Sequence, residues 1–165
     1  MSKIIVAYAS ATGATQGVAE RIAETLRAEG ADLDLLPAKQ VTSYAGYDGA
    51  VLGSGIRVGK WLGAGKKMLA LGGLEGKRVA LFCTCMSAVE CKPEDMQIME
   101  SYMETLATST GAVSTKIFAG AYDPSKLNVI MRKVMKMLKS PVGDYRDWEA
   151  VEGWAKEIAP QLLTD

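Results

Sequence analysis

Apolar residues recur along this chain in two rhythms. Lys3–Tyr8, Leu33–Leu36, Gly49–Gly53, Arg78–Cys83 and Val113–Ala119 are short segments, most of them dense apolar runs, and read as strands covered on both faces. Between them the spacing changes to that of helices. Val18, Ile22 and Leu26 recur every fourth residue, with Ala19 and Ala23 beside them, and the pattern stops at Gly30. A second helix is expected over about Lys60–Leu71. A third opens at Pro93, with Glu94 and Asp95 in its first turn, and runs to about Thr108, before Gly111. A fourth runs from Pro124 to about Lys139. Asp147 caps a fifth, Trp148–Leu162.

Strands alternating with helices in this way predict a single α/β domain over residues 1–165. The expected fold has three layers and is doubly wound, with a five-stranded parallel sheet in the order 2-1-3-4-5. In such a sheet the ligand lies beyond the carboxyl ends of the strands, where the strand order reverses.

Composition narrows the chemistry. The 165 residues include 19 basic and 19 acidic side chains, a balance that argues against a nucleic-acid partner. No histidine is present, which removes histidine triads, histidine metal sites and histidine acid–base catalysis. A cofactor is therefore expected to carry the chemistry, with no catalytic side chain. Cys83, Cys85 and Cys91 lack a fourth ligand, so the expectation is no metal site, with one buried cysteine at a strand end and two in a loop. No apolar run approaches membrane-spanning length, and Met1–Lys3 lacks signal-peptide features; a cytoplasmic protein is expected.

The most specific segment is Ser10-Ala11-Thr12-Gly13-Ala14-Thr15, between the first strand and first helix. Its small residues let a ligand approach the backbone, three hydroxyls project from it, and it ends at a helix start whose free N–H groups attract an anion. Neither G-x-x-x-x-G-K-[ST] nor G-x-G-x-x-G occurs here. The competing reading is a Ser/Thr-rich turn with a helix cap. The segment matches [ST]-x-T-G-x-T, and with it the chain resembles the flavodoxins. That resemblance implies non-covalent flavin mononucleotide (FMN), its phosphate held by amides and hydroxyls.

On this reading the segments after the third and fourth strands hold the isoalloxazine ring. The first contains Ser54, Gly55, Ile56, Arg57, Gly59 and Trp61; Arg57 or Lys60 would sit near the negative charge of reduced flavin. Trp61 has two readings, a cover for one ring face or an anchor packed on its own helix. The second contains Cys83, Thr84, Cys85, Met86 and Ser87, placed to bond the pyrimidine edge. Tyr122, after the fifth strand, is an alternative ring contact.

Further segments are similar to the menaquinone-dependent protoporphyrinogen dehydrogenase family, a flavodoxin-like branch. They are Gly53-Ser54-Gly55-Ile56-Arg57-Val58-Gly59, Cys91-Lys92-Pro93-Glu94, Phe118-Ala119-Gly120-Ala121 and Asp147-Trp148-Glu149-Ala150-Val151 with Ala155–Ala159. The chain departs from that family at Gly55, at Cys83–Met86 and at Lys60. The resemblance implies an FMN oxidoreductase that takes reducing equivalents from a hydrophobic porphyrinogen and passes them to a quinone or other acceptor. The rival expectation is a soluble flavodoxin carrying electrons between redox proteins.

One segment stands apart. Over Ser125–Lys139, Leu127, Ile130, Met131, Val134, Met135 and Leu138 share one helical face, and Lys126, Arg132, Lys133, Lys136 and Lys139 share the other, with no acidic residue. Two readings follow: a sheet-packed helix with a solvated basic back, or peripheral contact with the inner face of a membrane.

Overall fold

The computed structural model describes residues 2–164. Five strands, β1 (Lys3–Ala9), β2 (Asp32–Pro37), β3 (Gly49–Arg57), β5 (Arg78–Cys85) and β6 (Ser114–Ala119), form a parallel sheet in the order β2-β1-β3-β5-β6. The two-residue β4 (Lys60–Trp61) pairs antiparallel with the end of β3. With β4 set aside, this is the expected 2-1-3-4-5 order.

Both faces of the sheet are covered, so successive residues of each strand enter opposite core layers. Ile4, Val6, Val51, Ala80 and Phe82 pack against α1 (Ala14–Ala28) and α6 (Trp148–Leu162). Ile5, Ala7, Leu52, Leu81 and Cys83 enter the other layer, under α2 (Gly63–Leu69) and α4 (Pro93–Thr110). In the first layer Phe82, Phe118 and Trp154 meet edge to face, with centroids 5.8–6.2 Å apart. Such pairs add about 0.5–1.5 kcal/mol each beyond area burial. The Trp154 indole N–H donates to Ser114 Oγ at 3.0 Å, so this buried donor is satisfied.

Several boundaries differ from the sequence reading. β3 continues to Arg57 because pairing with β5 runs through Gly55↔Thr84 and β4 then takes over the backbone of Ile56 and Arg57. Gly53 is a sheet residue there for a steric reason: a Cβ at this position would collide with the Phe82 ring. The second helix is shorter than Lys60–Leu71, because Lys60 and Trp61 belong to the hairpin. β5 extends to Cys85, so Cys83, Thr84 and Cys85 are strand residues, and Cys91 alone of the cysteines is exposed.

The 125–139 segment is also shorter in helix than expected. Pro124–Lys126 form a 3-10 turn, and α5 spans Val129–Met137 after the Asn128 side chain accepts Met131 N–H at 2.8 Å. The reading as a sheet-packed helix fails: no residue of α5 is buried. Among the described residues no helix is long and apolar enough to cross a membrane.

Candidate functional site

The carboxyl ends of β1, β3, β5 and β6 lie side by side, in the register Ala9↔Ser54, Ser54↔Cys83, Gly55↔Thr84 and Cys85↔Ala119. Ser10–Gly13 leaves β1 over this edge and α1 starts at Ala14. The Ser10 hydroxyl accepts Gly13 N–H at 3.0 Å and folds the loop on itself, while Gly13 takes φ 95°. No side chain caps the helix at Gly13 and no acidic residue lies in its first turn. Its first amides lack intrahelical acceptors and are free to bond an outside anion.

The structure brings together two groups expected at opposite ends of the ligand. Thr15 and Thr84, both buried, share a hydroxyl–hydroxyl hydrogen bond of 2.7 Å. Gly55 lies against them, since a Cβ there would stand 3.1 Å from Thr15 Oγ1. Thr12 and Ala14 are half-buried beside this pair's helix start, and Ala11 is exposed. Either hydroxyl can donate in this pair, and the one that accepts keeps its own hydrogen for a further partner.

On the far side Gly120 N–H donates to Cys85 carbonyl at 3.1 Å, which closes β6 onto the end of β5. Met86 and Ser87 are half-buried beyond it, and Ser87 opens the short helix α3 (Ser87–Glu90). Cys83 and Cys85 are a buried pair of neighbouring thiols. The hydrogen bond from Cys83, followed by the backbone N–H groups of Ala88 and Ser87, holds the Cys85 pKa down against burial. The same coupling and burial push the Cys83 thiol up.

Three expected contacts are corrected. Ser54 is fully buried; its hydroxyl donates to Gly55 carbonyl at 2.7 Å and accepts Leu62 N–H at 3.0 Å, which ties down the hairpin. Trp61 is 2% exposed and packs in the lower core layer, so it anchors the hairpin and covers no ring face. Its indole N–H has no partner among the described residues. Tyr122 is 8% exposed and sits in the short strand β7 (Ala121–Tyr122), which pairs with β8 (Gly143–Asp144). These side chains look polar or aromatic and available in sequence, but tertiary packing consumes them.

What stays accessible from the first segment is Gly55 and Ile56, half-buried, and Arg57, Gly59 and Lys60, exposed. Val58 and Gly59 turn the hairpin with φ 52° and 73°, a conformation a β-branched residue adopts only under strain, and Val58 is 91% exposed.

Sequence reasoning missed Arg146. From 132 positions away, its Nη1 donates to Ala14 carbonyl at 3.3 Å, and its guanidinium lies over the first turn of α1 in space that Gly17 leaves free. Its Nε and Nη2 donate to the two Asp144 carboxylate oxygens at 2.9 and 2.7 Å, and it stacks 4.7 Å from the Trp148 ring centroid. The Arg146 hydrogen bonds hold the Asp144 carboxyl below its usual range. Nothing in the local sequence signals this; the 144–148 segment reaches the loop only because α6 packs on α1.

Comparison with known proteins places this geometry. The family model for the flavodoxin domain matches residues 5–148. Among solved structures, the oxidised flavodoxin 1 of Bacillus cereus superposes with a TM-score of 0.66 at 17% identity, over 99% of this chain and 100% of that one. A flavodoxin from the domain Archaea gives 0.64 at 17%, over 98% and 99%. A variant flavodoxin of Fusobacterium nucleatum, bound to flavin mononucleotide, gives 0.50 at 21%, over 71% and 68%. At these identities the structural likeness is one of fold. The family match covers most of the sequence, and the chain belongs to the flavodoxin domain family.

Proposed function

We propose that this protein binds FMN at the edge formed by β1, β3, β5 and β6 and transfers electrons between redox partners. The observation that carries the reading is the start of α1: an uncapped helix end, free of acidic residues, under a loop of small and hydroxyl side chains. A compact phosphate fits such a place without a lysine. FMN suits it, as the ligand of the Fusobacterium nucleatum flavodoxin of the same fold.

Ser10, Thr12 and Thr15 hydroxyls and the backbone N–H groups over Ala11–Thr15 would hold the phosphate. Gly55, Ile56 and the Met86–Ser87 turn would meet the ring edge. The flavin supplies the redox chemistry by taking up and releasing electrons. The chain's own residues bind and orient it, and the exposed Arg57 and Lys60 set a positive potential at the hairpin that favours negative charge nearby. The partner is a redox protein or a small redox molecule. Oxidation of a porphyrinogen with a quinone acceptor rests on the four sequence segments named above alone; electron carriage is the reading the family membership favours.

Purified protein should be yellow and should release FMN when denatured. Colourless protein that takes up no FMN at micromolar concentration would overturn the reading.

A further inference from the structure

The α5 region stands apart from the candidate site. Residues 123–142 leave and rejoin the body at one place, the β7–β8 ladder, where Ala121 pairs with Asp144 and Tyr122 with Gly143. Between these points lie five cations and a single acidic residue, Asp123 at the very start, in a chain whose total charge is zero. At 100° per residue, the apolar side chains from Met137 round to Met135 cover an arc of about 160°, with Arg132, Lys133, Lys136 and Lys139 on the remainder. Met131 and Met135, at one side of that arc, are half-buried. The rest is left to water: Ile130 is 72% exposed, Met137 83% and Leu138 68%. Six of the eleven exposed large apolar residues among those described fall within 129–142.

We infer that α5 and its flanks dock on an anionic phospholipid surface. The cations favour a negatively charged partner. The exposed apolar arc favours one that offers a wide apolar layer just beneath its charge. A short helix lying in the plane of a bilayer meets both demands, with its lysines reaching the headgroups and Ile130, Val134, Met137 and Leu138 entering the acyl boundary. The excursion springs from the end of β6, the same sheet edge that carries the phosphate loop. Docking would bring that edge toward the lipid, where a lipid-dissolved donor or acceptor has access. This last consequence rests on the redox reading; the docking itself does not.

The test is co-sedimentation of the FMN-loaded protein with vesicles, either phosphatidylcholine alone or an equimolar mixture with phosphatidylglycerol. The protein should pellet with the mixed vesicles at low salt, stay in solution with phosphatidylcholine, and dissociate at high salt. K133Q/K136Q/K139Q should lower partitioning roughly a hundredfold, each lysine contributing about fivefold. I130S/L138S, which keeps every charge, should lower it at least tenfold. Both variants should keep their melting temperature and bound flavin. Failure of the parent protein to bind mixed vesicles at low salt overturns the inference. So does undiminished binding by I130S/L138S, which would point to an acidic protein surface instead. A marked loss of melting temperature in either variant overturns it too, because the helix would then be part of the packed body. Flavin content measured on the same samples separates this outcome from failure of the redox reading: protein that pellets but holds no FMN refutes only the latter.

Discussion

Two helices begin beside the same arginine and are finished in opposite ways. At α6 the Asp147 carboxylate accepts Ala150 N–H at 3.1 Å, and Glu149 adds a second negative charge in the first turn. The positive end of that helix is closed by its own chain. At α1 nothing comparable exists: Gly13 has no side chain to cap with, and the first turn has no acid. The two helices pack against each other. A capped start serves stability; on the proposed function, the start left open beside three hydroxyls serves the FMN phosphate. Arg146 joins the two, donating to Ala14 carbonyl in one and stacking on Trp148 in the other.

The largest expected effect sharpens this contrast at α1. T12V/T15V should weaken FMN by about 3–6 kcal/mol, about 1.5–3 for each hydrogen bond lost to a charged group. Riboflavin, which lacks the phosphate, should bind nearly as before. Titration of the variant with both flavins by fluorescence quenching checks this, and equal losses would mean the loop does not hold phosphate.

At α6 the matching change acts on stability alone. D147A should cost about 1 kcal/mol, the ordinary worth of a helix cap, and lower the melting temperature by a few degrees. FMN affinity should stay within twofold. A drop in affinity like that of the α1 variant would break the comparison, because the two helix starts would then act as one site.

The smallest effect lies between them. Arg146 depresses the Asp144 carboxyl in the folded protein, so the pair stabilises the fold above the ordinary aspartate pKa of about 4. That contribution is lost as pH falls through the lowered folded value. D144N should therefore melt below the parent near neutral pH and approach it as pH falls below the ordinary aspartate range. Asp144 is half-exposed, and solvent screens the pair, so the difference should be smaller than the cap effect. A gap that widens on acidification would assign Asp144 another partner.

Helices α5 and α6 show how far a pattern along the chain can be read. Both are amphipathic. α6 fully buries Val151, Trp154, Ala155, Ile158, Ala159 and Leu162, whereas α5 no more than half-buries Met131 and Met135. Periodicity states that a helix has an apolar face; it does not state what that face meets. The glycines of Gly53–Gly59 misled in a related way. They look like a loop, yet β5 and β4 supply hydrogen-bond partners that keep most of the segment in strand. Ser54, Trp61 and Tyr122 have the chemistry of ligand contacts, and only their burial shows that the fold uses them.

The sequence by itself determined the main strands, the main helices and the Ser10–Thr15 loop that joins β1 to α1. These follow from near-neighbour physics: dense apolar runs, fourfold spacing, a capping Asp147, and small hydroxyl residues between a strand and a helix. Tertiary structure alone decided that Thr15 meets Thr84, that Arg146 leans over α1, and that α5 stands off the sheet. Each of these depends on distant segments competing for the same space and the same hydrogen-bonding groups, and local spacing carries no record of that competition.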